Sequence, residues 1–226
     1  MPLEYFEIAM KVAVFLLAIS VHESAHALGA SWMGDQTAKL LGRITLNPIK
    51  HIDPFGSVIV PALSLLSGFG IFGWAKPTPV DIHQMRRPLL GEIVATVAGP
   101  VSNLILVSFG LFGLFIVAKT SPFGRAMVQG IITGYVPDPS SLMLPLVWFL
   151  YLMVAINTLL ALFNLLPIPP LDGSHVFKHM LPDPIARSYE MIGGFGFIII
   201  LLFGGKIMGP IMNWALHFLD NIIIRM

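Results

Sequence analysis

The chain has 226 residues, 56% hydrophobic and only 11% charged, with a mean hydropathy of +0.83. Soluble domains carry about 25% charged residues, so this composition excludes an ordinary soluble protein; the long, non-alternating apolar runs favour membrane helices over a barrel. The net charge of +1 offers nothing to nucleic acid, and the absence of cysteine excludes disulfides and thiolate metal ligands.

The first apolar run, residues 5–30, lacks the basic cluster of a cleavable signal peptide and is expected to span the membrane. It contains His22-Glu23-Ser24-Ala25-His26. Two histidines four residues apart share one helix face and can bind one Zn²⁺, with the glutamate between them as general base. Chance supplies on the order of 0.005 such motifs in a chain of this composition. At 1.5 Å per residue, His22 lies about 25 Å from the helix start, close to one face of a ~30 Å hydrocarbon core. Histidines and a carboxylate are costly in lipid, so the cluster reads as functional.

Residues 31–56 are more polar, and 37–46 have strand character between turn-forming pairs. The Gly- and Pro-rich apolar run 57–74 is expected to be a re-entrant or interfacial hairpin, because the segments on both sides are basic and should share a side. A second span is expected over 89–118, a loop over 119–140, and a third span over 142–166 that ends in Pro167-Ile168-Pro169-Pro170. A short polar segment, 171–187, follows. The apolar stretch 189–224 is broken at Gly204-Gly205-Lys206 and Gly209-Pro210, which suggests one span plus an interfacial helix, or two short spans.

Segments 31–56 and 76–87 carry six Lys/Arg, 171–187 two more, and 119–140 two. The positive-inside rule then puts the N-terminus outside and the end of the first helix, with its HESAH motif, near the cytoplasmic face of a cell membrane. The span ending at Pro167 comes down to the same side. The fold class is an all-α polytopic membrane protein of about 4–6 transmembrane helices, with a re-entrant or interfacial hairpin and a short membrane-associated strand region. Residues 1–226 are expected to form a single domain.

A catalytic zinc needs three protein ligands and one open position. His51, Asp53, His83, Asp172, His175 and His179 are candidates for the third. Asp172 is favoured because it follows a proline-broken helix end at the same depth as HESAH, and Gly173 beside it permits close backbone approach. His175 is a rival ligand or a partner of one. Gly99-Pro100 is expected to allow tight packing or a kink beside the zinc helix.

Five pieces, in order, resemble the site-2 protease family of intramembrane zinc metalloproteases: His22-Glu23-Ser24-Ala25-His26; Gly42-Arg43-Ile44-Thr45-Leu46-Asn47-Pro48 with His51-Ile52-Asp53-Pro54-Phe55-Gly56; Phe72-Gly73-Trp74-Ala75-Lys76-Pro77; Ala98-Gly99-Pro100 with Asn103; and Asn164-Leu165-Leu166-Pro167-Ile168-Pro169-Pro170-Leu171-Asp172-Gly173. The resemblance is to small bacterial members without PDZ or CBS domains. It implies one Zn²⁺ per chain on His22, His26 and Asp172, Glu23 as general base, and Asn164 as an oxyanion or substrate-positioning group. It further implies hydrolysis of a peptide bond in or near a transmembrane segment, with single-span membrane proteins or signal-peptide remnants as substrates. A helical substrate must unwind before it can be cut. The strand-like residues Arg43, Ile44, Thr45 and Leu46 are expected to receive it by strand addition. A metal or ion transporter using the same polar residues is the competing reading, though the internal repeats common in transporters are not evident.

Overall fold

In the computed structural model, residues 3–54, 56, 59 and 75–225 are described. Three helices there are long and apolar enough to cross a membrane: Tyr5–Met33, Pro88–Thr120 and Met143–Asn164. They fall within α1 (Leu3–Met33), α3 (Pro88–Thr120) and α5 (Met143–Asn164), separated by the short α2 (Thr37–Leu40) and by α4 (Pro122–Thr133). Then come α6 (Asp172–Lys178) and the 42-residue α7 (Asp183–Ile224). The chain is thus an all-α polytopic membrane protein. The expected hairpin over 57–74, with Trp74, lies outside the described residues except at Ile59.

Three local expectations change. First, no strand forms over 37–46. The Asp35 carboxylate accepts the Thr37 N–H at 2.8 Å and the Asp81 N–H at 2.8 Å, which starts α2 instead. Gly42, at φ +67°, closes that helix while the Arg43 N–H returns to Ala38 O at 2.9 Å. Residues 44–46 then bend, tied down by side chains rather than by a ladder. Second, the expected loop 119–140 contains α4. Ser121 Oγ caps it by accepting the Gly124 N–H at 2.9 Å, Pro122 opens it, and Gly134 at φ +76° ends it. Third, α7 runs unbroken through Pro210.

The chain divides into two units. One comprises Met1–Ala18, Asn103–Ala161 and Gly205–Met226. It is packed around Leu114, Met127, Val128, Val147 and Ile223, all at most 1% exposed. It also buries a polar pair, Asn103 Nδ2 donating to Asn157 Oδ1 at 2.8 Å. The other unit comprises Ile19–Ser102 and Leu162–Gly204 and holds every candidate site residue. Within it α1 and α3 approach closely: a Cβ at Gly29 would stand 3.1 Å from Ala95 Cα and from Ala98 Cβ. Small residues let the two backbones meet where larger ones would hold them apart.

Candidate metal centre

His22 and His26 lie one turn apart on α1, as the i, i+4 spacing requires, and both are nearly buried, at 6% and 9% exposure. Asp172 opens α6, and its Oδ2 lies 3.2 Å from His22 Nε2 and 3.4 Å from His26 Nε2. The two Nε2 atoms are 3.0 Å apart, and the imidazole planes are nearly perpendicular. The three candidate ligand atoms thus form a nearly equilateral triangle. A tetrahedral Zn²⁺ with bonds near 2.0–2.1 Å requires ligand separations of about 3.3 Å. Asp172 Oδ2 is buried, yet neither imidazole contact has the directionality of a hydrogen bond. The two imidazoles stand within hydrogen-bond distance of each other, and all three groups converge on a common point, so they fit a zinc ion.

Local packing prepares each ligand. His26 Nδ1 lies 2.8 Å from Ala95 O. A carbonyl can only accept, so Nδ1 carries the proton, which would leave the Nε2 lone pair available to a metal. Gly99, four residues further along α3, supplies the space: a Cβ there would overlap the His26 ring and stand 2.8 Å from His22 Cε1. This is the tight packing expected of Gly99-Pro100. At the other ligand, a Cβ on Gly173 would collide with the carbonyls of Leu165 and Leu166, so only glycine lets α6 start against that turn. A carboxylate must be anionic to serve as a metal ligand, and the converging ring nitrogens of His22 and His26 leave Asp172 Oδ2 placed for that role.

Glu23 sits between the two histidines in sequence. Its Oε2 accepts the Thr78 N–H at 3.1 Å and the Thr78 hydroxyl at 2.7 Å. Thr78 belongs to the non-helical stretch 75–81, which is laced to neighbouring segments. Arg43, 5% exposed, donates through its guanidinium to the carbonyls of Lys50, Lys76 and Pro77, and the Lys76 N–H donates to His51 O at 2.8 Å. Ser24 Oγ and His51 Nε2 both bond Thr45 O, and the Thr45 N–H donates to Ser24 Oγ at 3.1 Å. Of the four residues expected to receive substrate, Arg43 is thus turned inward and Thr45 has both backbone groups engaged. Ile44 and Leu46 are exposed, at 37% and 60%, and their backbone groups have no partner among the described residues.

Asn164 is half-buried at the end of α5, eight residues before Asp172. The rival ligands go elsewhere. His175 and His179 bond Glu92, Asp53 Oδ1 accepts the Gly56 N–H, His51 holds Thr45, and His83 sits in an exposed single turn. Two contributors were not read from the sequence. Thr78 is 55 residues from Glu23, and Glu92 is 83 residues or more from its imidazole partners. Neither stands in a motif of its own.

Residues 10–204 match the family described as Peptidase family M50. The chain is 36% identical over 207 residues to "Putative zinc metalloprotease YwhC" of Bacillus subtilis (strain 168), covering 89% of this chain and 85% of that one. It is 28% identical over 215 residues to "Putative zinc metalloprotease Rip2" of Mycobacterium tuberculosis (strain H37Rv), covering 94% and 72%. The same-named protein of Mycolicibacterium smegmatis is 27% identical over 204 residues, covering 89% and 69%. No solved structure matches.

Proposed function

This chain belongs to peptidase family M50, and we propose that it cleaves peptide bonds in or near the transmembrane segments of membrane proteins. It is a zinc metalloprotease, which replaces the transporter reading. The observation that carries the proposal is the triangle of His22 Nε2, His26 Nε2 and Asp172 Oδ2, with edges of 3.0–3.4 Å, whose two histidines lie on a helix apolar enough to span a bilayer.

His22, His26 and Asp172 would hold one Zn²⁺ per chain. When bound, zinc supplies a Lewis acid for the scissile carbonyl and lowers the pKa of its water towards ~7. Glu23 accepts the water proton and returns it to the leaving amine. Both of its hydrogen bonds from Thr78 go to Oε2, which leaves the proton transfer to Oε1. Asn164 offers a neutral amide donor to the negative charge that develops on the carbonyl oxygen, a role typically worth about 3 kcal/mol. Ile44 and Leu46 alternate with the inward-tied Arg43 and Thr45, so their free N–H and C=O groups suit an unwound substrate that pairs as a short strand. The distribution of basic residues supports a multi-pass protein of the cell membrane with its N-terminus outside and its site near the cytoplasmic face, where water is at hand. The substrates suited to such a site are single-span membrane proteins or signal-peptide remnants.

The test compares wild type with Glu23→Gln, purified in detergent, for bound zinc and for cleavage of a panel of single-span substrates. Zinc content near one per chain in both, with cleavage lost only in the variant, is expected. Cleavage by the variant at the wild-type rate would sink the mechanism.

A further inference from the structure

We propose that Glu92 is a positioning residue for the metal centre, clamping the last turn of α6 to α3 and so setting where Asp172 sits. The inference rests on reading Asp172 as the third zinc ligand.

The Glu92 side chain is 12% exposed and is met by three nitrogen groups from one short stretch. Lys178 Nζ lies 2.7 Å and His175 Nδ1 3.3 Å from Oε1, and His179 Nε2 lies 3.0 Å from Oε2. Lys178 also reaches Glu190 on α7 at 3.3 Å. Burial would lower the Lys178 ammonium, but the Glu92 carboxylate outweighs it and raises it, so the pair stays charged. An exposed pair of this kind contributes little, but Glu92 and Lys178 are largely shielded, at 12% and 18% side-chain exposure, and removing Glu92 leaves Lys178 and both imidazoles without their shared counter-charge.

α6 needs such a clamp. It has seven residues, too few to hold a helix by itself, since isolated helices under about 12–15 residues are marginal. Its first turn is seated by the contact of Gly173 with the Leu165 and Leu166 carbonyls. With that end alone fixed, the helix could pivot and carry Asp172 off the triangle. The cluster at residues 175–179 fixes the other end. Glu92 also lies three residues before Ala95 and seven before Gly99, so the three share one face of α3. That face therefore fixes all three ligands: His26 through Ala95 O, both imidazoles through the space at Gly99, and Asp172 through Glu92.

The experiment uses the full chain in detergent, loaded with zinc. It measures the rate of zinc loss to excess chelator, and Tm with and without zinc, for wild type, Glu92→Ala, Glu92→Gln and Asp172→Ala. Groups that orient metal ligands typically contribute 10–100-fold to metal affinity, so Glu92→Ala is expected to shed zinc roughly 10–100-fold faster. Its zinc-dependent gain in Tm shrinks accordingly. Glu92→Gln, which keeps the shape but not the charge, falls between, and it carries the test if the alanine variant does not fold. A merely structural role lowers both Tm values together and leaves the gain and the zinc-loss rate at wild type; that result overturns the proposal. If Asp172→Ala loses zinc readily while both Glu92 variants match wild type, the clamp alone fails. If Asp172→Ala itself retains zinc like wild type, the ligand assignment fails, whatever Glu92 does.

Discussion

Adding one methyl group at Gly99 perturbs the metal centre without altering a ligand. The new Cβ would overlap the His26 ring at Cε1 and Nε2 and stand 2.8 Å from His22 Cε1. Carbon atoms settle about 3.5–4.0 Å apart, so the His22 ring must retreat by on the order of 0.7 Å and the His26 ring further. His26 has little freedom to do so. Its Nδ1 is tied to Ala95 O at 2.8 Å, and α1 already meets α3 at Gly29 with no slack. Movements of this size spoil a triangle whose edges are 3.0, 3.2 and 3.4 Å. Overpacking of this kind costs about 1–3 kcal/mol. Borne by the zinc-loaded form, that cost weakens zinc binding roughly 5- to 150-fold. Competition against a fluorescent zinc chelator measures the affinity, and cleavage of a single-span substrate by zinc-saturated protein reports the geometry that remains. A folded Gly99→Ala protein with wild-type zinc affinity would refute the packing argument, because the imidazoles would then not depend on this glycine for their space.

Two further substitutions separate catalysis from architecture. Thr78→Val removes the hydroxyl 2.7 Å from Glu23 Oε2. A hydrogen bond to a charged group contributes about 1.5–3 kcal/mol, so kcat/KM should fall roughly 10- to 100-fold with zinc content unchanged, and Thr78→Ser should restore it. An unaltered rate would show that the hydroxyl does not hold the base. Arg43→Met strips the carbonyls of Lys50, Lys76 and Pro77 of their donor. Hydrogen bonds from a charged donor contribute about 1.5–3 kcal/mol, so losing those of the buried guanidinium should lower Tm by several degrees. A native Tm with a raised KM would instead make Arg43 a substrate contact.

The three candidate metal ligands, which the structure brings together, were legible because their signal is local. The i, i+4 spacing of His22 and His26 needs only helical geometry, and the proline turn before Asp172 marks a helix end at matching depth. Gly99 and Gly173 were readable in kind, since glycine beside a functional motif implies close approach, although what approaches had to be seen. The strand over 37–46 misled because its pattern came from residues whose partners lie far off. Asp35 reaches Asp81 across 46 positions and Arg43 reaches Pro77 across 34, and those bonds replace the ladder a strand would need. α4 was missed for a different reason. Its signal was present in Ser121 as a cap, Pro122 at its start and the helically spaced Met127, Val128, Ile131 and Ile132, but the basic Arg125 and the glycines Gly124 and Gly130 gave the stretch the look of a loop.

The unit holding the metal centre positions its parts in two ways. The candidate histidine ligands are referenced to α3, a helix that continues through Pro100, by the Ala95 carbonyl and the space at Gly99. Sites carried by regular elements keep their geometry better than sites on loops, and a catalytic metal needs that precision. The base is different. Glu23 is carried on α1, but its carboxylate is oriented by Thr78 from an irregular segment, 75–81, that is laced through Arg43 to the bend at 43–46. That bend holds the free backbone groups of Ile44 and Leu46, where an unwound substrate would dock. On the proposed function, substrate docking and base orientation would share one hydrogen-bonded strap, and zinc binding would not pass through it. Variants in the strap should alter turnover at constant zinc content, and variants on the α3 face should alter zinc content first.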